Sequence, residues 1–346
     1  GKCKAACPYD AISHNVRPCE QACGVKAIGS DEQGRASILE DKCVSCGMCM
    51  VSCPFGAISD KSQIFQLSHA LRDGDKIIAI VAPAYISQFG DDVTPGKFKT
   101  ALQVLGFSDV HEVAFGADVG AISEAHHYAK EVATGNLPFL LTSCCPSWSM
   151  MAKKFFPTMI DNISQELTPM VATARKVKKE QPDAKVVFIG PCASKKLEAM
   201  RRTVRSDVDF VLTFEELDAM FDAREIDPAS FEEDGSLHDA TAAGRGYAVA
   251  GGVAGAIEAC LKEYYPDVPV HIEHAESLAE CKKVLALAKA GKLNGCMIEG
   301  MACPGGCMGG AGTNVPVAKS SKELKKFLAS CSKKLPPKGL VDIELN

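Results

Sequence analysis

The chain has 346 residues, 47% of them hydrophobic and 23% charged, enough for roughly two domains with substantial cores. A net charge of −5 gives no general attraction to nucleic acid, and no apolar run approaches the roughly 20 residues of a membrane span. Seventeen cysteines are clustered rather than spread as in a disulfide scaffold, which predicts metal binding in a reducing, cytoplasmic setting.

Residues 1–60 read as an α+β ferredoxin-like domain holding eight of the cysteines. Cys43, Cys46, Cys49 and Cys53 precede Pro54 in the spacing C-x2-C-x2-C-x3-C-P that bacterial ferredoxins use for 4Fe-4S clusters. Zinc sites instead separate two C-x2-C pairs by a longer loop. In two-cluster ferredoxins the first three cysteines of such a run serve one cluster and the fourth serves the other. Cys43, Cys46 and Cys49 therefore need a partner from upstream. GKCKAACPYDAI at 1–12 repeats GMCMVSCPFGAI at 47–58, aligning Cys3 with Cys49 and Cys7 with Cys53, and CEQACGVKAI adds Cys19 and Cys23. The repeat starts inside a motif, so further cluster-binding sequence is expected upstream. Eight cysteines suffice for two 4Fe-4S clusters, with Cys23 or Cys7 completing the first; spacing leaves that choice open.

Residues 61–75 read as a linker helix with Ile64, Leu67 and Leu71 on one face. KIIAIVAP at 76–83 is a continuous apolar strand of the kind buried on both faces. Residues 115–136 predict a helix capped by Asp118 and stopped at Gly135-Asn136, with Glu124, His127 and Glu131 along one face. LTSCCPSW at 141–148 and IGPCASKKLE at 189–198 each follow a strand-like run and precede a helical pattern. Their cysteines thus fall at strand ends, where open α/β sheets place ligands. Residues 208–221 read as a strand then a helix, and 247–259 as a glycine turn opening a helix, without the G-x-G-x-x-G of a dinucleotide site.

In EGMACPGGCMGGAG at 299–312, Cys303 and Cys307 sit among glycines that let backbone pass close to a bulky ligand. With Cys145 and Cys192 they supply four thiolates from three loops, the number that holds one 4Fe-4S cluster, and Cys144 is spare. Cys260, Cys281, Cys296 and Cys331 lack metal-like spacing and read as buried structural thiols; the tail 335–346 reads as surface.

TSCCPSW, PCASKKLE and MACPGGCMGG, in this order, resemble the three cysteine signatures of the FeFe-hydrogenases, and the resemblance covers nearly the whole chain. It implies an α/β hydrogenase domain over 76–334, with two lobes built on twisted, mostly parallel sheets and the active cluster in the cleft between them. That H-cluster is a 4Fe-4S cubane joined to a diiron subsite bearing CO, CN and a bridging dithiolate. By the resemblance, Cys145, Cys192 and Cys303 ligate the cubane, and Cys307 ligates it and bridges to the diiron unit. Cys144 relays protons, Lys195 holds a cyanide and Met301 packs over the cluster.

The resemblance also maps a proton path: Glu124 and Ser164 match a glutamate and a serine, while His127 replaces a second glutamate and Glu131 an arginine. Pro83 and Ala84 fall at a strand end lining the diiron pocket, the alanine standing where serine is common. Gly190, before Pro191, replaces a methionine, and Met170 a glutamine, changes expected to open space and remove a donor beside the cluster. They resemble the family's divergent, sensory branches.

The implied activity is reversible oxidation of H2 to protons and electrons. Electrons would pass through the N-terminal clusters to a ferredoxin-like carrier or a missing cluster domain, and maturation enzymes would install the diiron unit. Two other readings remain: a hydrogen sensor with the same site and slow turnover, and a diiron-free iron-sulfur assembly scaffold. Retention of Cys144, Lys195 and Met301 argues against the scaffold.

Overall fold

Residues 5–9, 11–12, 16–233 and 237–345 are described by a computed structural model, and Cys3 falls outside them. The first strands, Ile28–Ser30 (β1) and Ala36–Ile38 (β2), form an antiparallel hairpin between the short helices Pro18–Gln21 and Met48–Val51. Gly47 opens the second of these helices at φ 80°, and a side chain there would meet Ala311 Cβ at 2.5 Å. The N-terminal part is thus pressed against the glycine-rich stretch. The helix Ile64–Arg72 follows and buries Leu67 and Ala70.

Seven later strands form two sheets: Ile77–Val81 (β3), Asp109–Glu112 (β4), Leu140–Leu141 (β5), Lys185–Ile189 (β6), Phe210–Leu212 (β7), His271–Glu276 (β8) and Cys296–Met301 (β9). The orders are β4-β3-β6-β7 and β5-β9-β8, and every pair is parallel, as the two-lobed α/β expectation requires. Parallel neighbours need crossovers, which the intervening helices supply. β3 lies inside its sheet with all five residues buried, which explains its unbroken apolar run. It pairs with β6 from Ile77 opposite Lys185 to Val81 opposite Ile189, so both strands end level. Among the described residues no helix is long and apolar enough to cross a membrane.

Three local expectations change. The strand expected at 76–83 stops at Val81, because Pro83 cannot donate to a ladder and opens a 3-10 turn, Pro83–Tyr85. The helix expected at 115–136 spans Ala114–His127 and then widens into a π turn, Tyr128–Val132. Asp118 does not cap it. The carboxylate is buried and accepts from Thr241 N at 2.7 Å, Thr241 Oγ1 at 2.6 Å and Gly244 N at 2.9 Å, tying the start of another helix to this one. The tail is at the surface, as expected: the 3-10 turn Lys338–Asp342 has no buried residue and rests on the outside of the helix Ala114–His127.

Candidate functional site

All three cysteine loops leave the C-terminal ends of parallel strands: Cys144 and Cys145 after β5, Cys192 after β6, and Cys303 after β9. Cys145 is the N-cap of the helix Pro146–Phe155 and Cys192 that of Ala193–Ala199, while Cys307 sits in the turn Gly306–Gly309. Backbone N–H groups of Ser147, Trp148 and Ala302 reach the Cys145 sulfur, and those of Ser194 and Lys195 the Cys192 sulfur. Helix N-termini favour thiolate in this way.

The glycines of the last loop act differently from expectation. A Cβ on Gly306 would meet Ala250 N at 2.5 Å, and one on Gly310 would collide with the Pro191 carbonyl oxygen. Their missing side chains make room chiefly for neighbouring backbone. Trp148 likewise lies flat against Gly300 of β9 and donates from Nε1 to the Thr142 carbonyl at 3.0 Å, fixing the Cys145 loop to the strand that ends at Cys303.

These loops enclose a cavity of about 90 Å³ lined by Cys144, Cys145, Cys192, Cys303 and Cys307, with Lys195, Met301, Met170, Pro83 and Pro191. Burial, then neighbouring thiols, pushes Cys192 up to about 11 and Cys307 up to about 12, and Cys303 well above the usual thiol range. Among the described residues no group of three or more His, Cys, Asp or Glu converges tightly enough for a single metal ion. A cubane binds each thiolate through a different iron, so its ligands stand further apart than those of one ion. The donor set therefore fits a cluster: coordination deprotonates a thiol outright, and the cluster's cations offset four buried thiolates.

Lys195 Nζ pairs with Glu198 Oε2 at 2.6 Å and donates to the Cys144 carbonyl at 3.4 Å. Burial alone would lower its pKa, but Glu198, Cys192 and Cys144 together raise it, so the ammonium is charged in the cavity wall. Glu198, which the sequence reading passed over, also accepts from Thr168 Oγ1 at 2.8 Å.

Glu124 is buried and accepts from the Ser164 hydroxyl and the Ser143 backbone; burial, with Glu166 and Glu299 adding to it, pushes its carboxyl up to about 7. Burial and then Glu124 hold the Cys144 thiol well above its usual range. His127 and Glu131 do not continue this line inward. They open, with Glu166, on a separate surface pocket of about 450 Å³ that Val341, Ile343 and Leu345 of the tail help to line. The π turn after His127 alters the spacing to Glu131, while Glu124 and His127 keep their α-helical separation. Glu166 donates its backbone N–H to Ser164 Oγ at 3.3 Å, and the Ser-x-Glu spacing was its one visible signal.

Two expected lining residues lie elsewhere. Ala84 is fully buried but behind the wall formed by Ala82 and Pro83. Gly190 leaves no opening: a Cβ there would stand 2.6 Å from Phe188 Cζ and 2.9 Å from Ala82 Cβ, so the Phe188 ring occupies the space expected to be open.

In the N-terminal part, Cys23, Cys43, Cys46 and Cys49 line one enclosed cavity of about 40 Å³. Burial, then Cys49, Cys23 and Cys43, pushes Cys46 up to about 12. Of the two candidates left open by spacing, Cys23 is the one brought to this group. Cys19 and Cys53 line a second, wider pocket, and Cys7 is half-buried. The Cys303 thiol also feels Cys46, so the two cysteine groups are neighbours.

Residues 75–311 match the family described as iron only hydrogenase large subunit, C-terminal domain, and residues 13–64 match the LdpA Fe-S cluster-binding domain. The chain is 30% identical over 335 residues to the NADP-reducing hydrogenase subunit HndD of Solidesulfovibrio fructosivorans, covering 80% of this chain and 56% of that one. It is 24% identical over 354 residues to Protein NAR1 of Arabidopsis thaliana, covering 82% and 74%. It superposes on an FeFe-hydrogenase of Chlamydomonas reinhardtii with a TM-score of 0.63 at 21% identity, covering 79% of this chain and 91% of that one. The matched segment contains both parallel sheets and all the cysteines of the larger cavity, and the chain belongs to the iron-only hydrogenase large-subunit family.

Proposed function

We propose that the chain is an FeFe-hydrogenase that interconverts H2 with two protons and two electrons. Cys145, Cys192, Cys303 and Cys307 would hold the cubane, with Lys195 and Met301 beside the diiron unit. When bound, that cofactor supplies the hydrogen-splitting chemistry. The observation that carries the reading is the placement of Cys144: it opens on the same cavity as the four cluster thiols and lies next to a buried carboxyl with a pKa of about 7.

A relay works best when its acid and base have pKa values near the working pH, and Glu124 meets that condition. Protons move between the Cys144 sulfur and the Glu124 carboxyl, then past the Ser164 hydroxyl toward Glu166 and the surface pocket with His127. On the opposite side, electrons leave through a cluster held by Cys23, Cys43, Cys46 and Cys49, which neighbours Cys303. Cys3, Cys7, Cys19 and Cys53 would serve a second cluster and pass electrons to an external carrier.

Similarity to Protein NAR1 supports a second reading, an iron-sulfur assembly factor without the diiron unit. Such a protein has no task for a buried lysine aimed into the cavity or for the Glu124–Cys144 pair. An anaerobic infrared spectrum of the matured protein under argon and then under hydrogen separates the two. Carbonyl and cyanide bands that move under hydrogen are expected; a protein with its cubane but no such bands is the assembly factor.

A further inference from the structure

Tyr247 follows the helix Ala242–Gly246, and its ring lines the cavity alongside Cys144. Its hydroxyl oxygen is buried and has no hydrogen-bond partner among the described residues. That oxygen lies against Gly120, one helical turn before Glu124: a Cβ on Gly120 would stand 3.8 Å from it. After burial, the charges that act most strongly on the phenol are Glu124 and then Cys144. Between those two groups the structure shows charge interaction and no direct hydrogen bond.

A buried hydroxyl without a partner is costly and uncommon in folded proteins. A phenylalanine would make the same apolar contacts without that cost, so packing does not account for the oxygen. A phenol both donates and accepts, which suits it to hold a bridging water between a carboxyl and a thiol that do not touch. We propose that the Tyr247 hydroxyl is a positioning residue of the proton relay, holding the hydrogen-bonded link between the Glu124 carboxyl and the Cys144 thiol. The proposal rests on the reading of Cys144 as a proton carrier. In the step itself, the thiol proton passes to the bridging water as that water gives one to the carboxylate. Tyrosine keeps its own proton throughout.

The test compares Tyr247→Phe with the parent in protein carrying its iron-sulfur clusters but no diiron unit. The readouts are two infrared bands: the S–H stretch that disappears in Cys144→Ala and the carboxylic C=O stretch that disappears in Glu124→Gln. Loss of the phenol should move both to higher wavenumber and leave the melting midpoint equal or higher. Bands that stay in place overturn the proposal. In matured protein the same variant should turn over H2 about tenfold more slowly, with a larger solvent isotope effect. Unmoved bands in a protein that turns over H2 remove the role of Tyr247 and keep the hydrogenase reading. Moved bands in a protein without turnover keep the Tyr247 link and remove that reading.

Discussion

Lys195 Nζ stands 2.6 Å from Glu198 Oε2, and the two side chains are nearly sealed from water, at 10% and 2% exposure. Lys195→Met would leave the Glu198 carboxylate buried with the Thr168 hydroxyl as its remaining side-chain donor. Stranding one partner of a buried pair costs about 3–5 kcal/mol, whereas replacing both is much milder. The single variant should therefore unfold at clearly lower urea, and Lys195→Met with Glu198→Gln should recover most of the loss. Hydrogen turnover should stay lost in both, which separates the lysine's part in folding from its part at the cofactor.

Glu124 gives stability an unusual pH dependence. Burial lifts its carboxyl from the ordinary 4.5 to about 7, so within that window the native state holds a proton that the unfolded chain has released. Stability falls as pH rises through the window, by about 3 kcal/mol in all. Glu124→Gln should be more stable than the parent near pH 8 by up to that amount, with the gap closing toward about pH 4. Urea midpoints across a pH series measure this, and turnover should fall roughly 100-fold.

Phe188 and Gly190 form a size-matched pair. Gly190→Met forces a side chain into the Phe188 ring and should cost about 1–3 kcal/mol. Adding Phe188→Ala should restore most of the thermal midpoint, because the methionine then fills the vacated volume. A single variant as stable as the parent would mean that the ring moves aside freely.

The two N-terminal pockets should lose their clusters separately. Cys23→Ala removes one side of the Cys43, Cys46 and Cys49 cavity and should lower the iron content by about four atoms per chain. Cys53→Ala should lose the other cluster and leave the electron paramagnetic resonance signal of the first intact. Identical spectra for the two variants would refute the division.

The cysteine loops and β3 could be read from the sequence because their signals are local: a motif, a strand end, an unbroken apolar run. What escaped depends on contacts between distant residues. Asp118 looks like a helix cap until Thr241 and Gly244 are brought to it. The π turn changes where Glu131 falls relative to Glu124, and periodic spacing cannot show such a turn. Gly190 reads as open space when Phe188, two residues earlier in β6, is the filler. The repeated motifs present Cys7 and Cys23 alike, and packing brings Cys23 to Cys43, Cys46 and Cys49.

Gly310 and Gly312 clasp the Pro191 carbonyl between them, the second donating to it at 2.9 Å, and Trp148 rests on Gly300. The segments bearing Cys192 and Cys307 are fused in this way, and those bearing Cys145 and Cys303 are fused by the tryptophan. A zinc finger collapses when its ion is withdrawn, because the ion is most of its core. Here contacts within the polypeptide itself also join the cysteine segments in pairs. Chelating the iron should therefore leave a protease-resistant core around these contacts, where a zinc finger would be digested throughout.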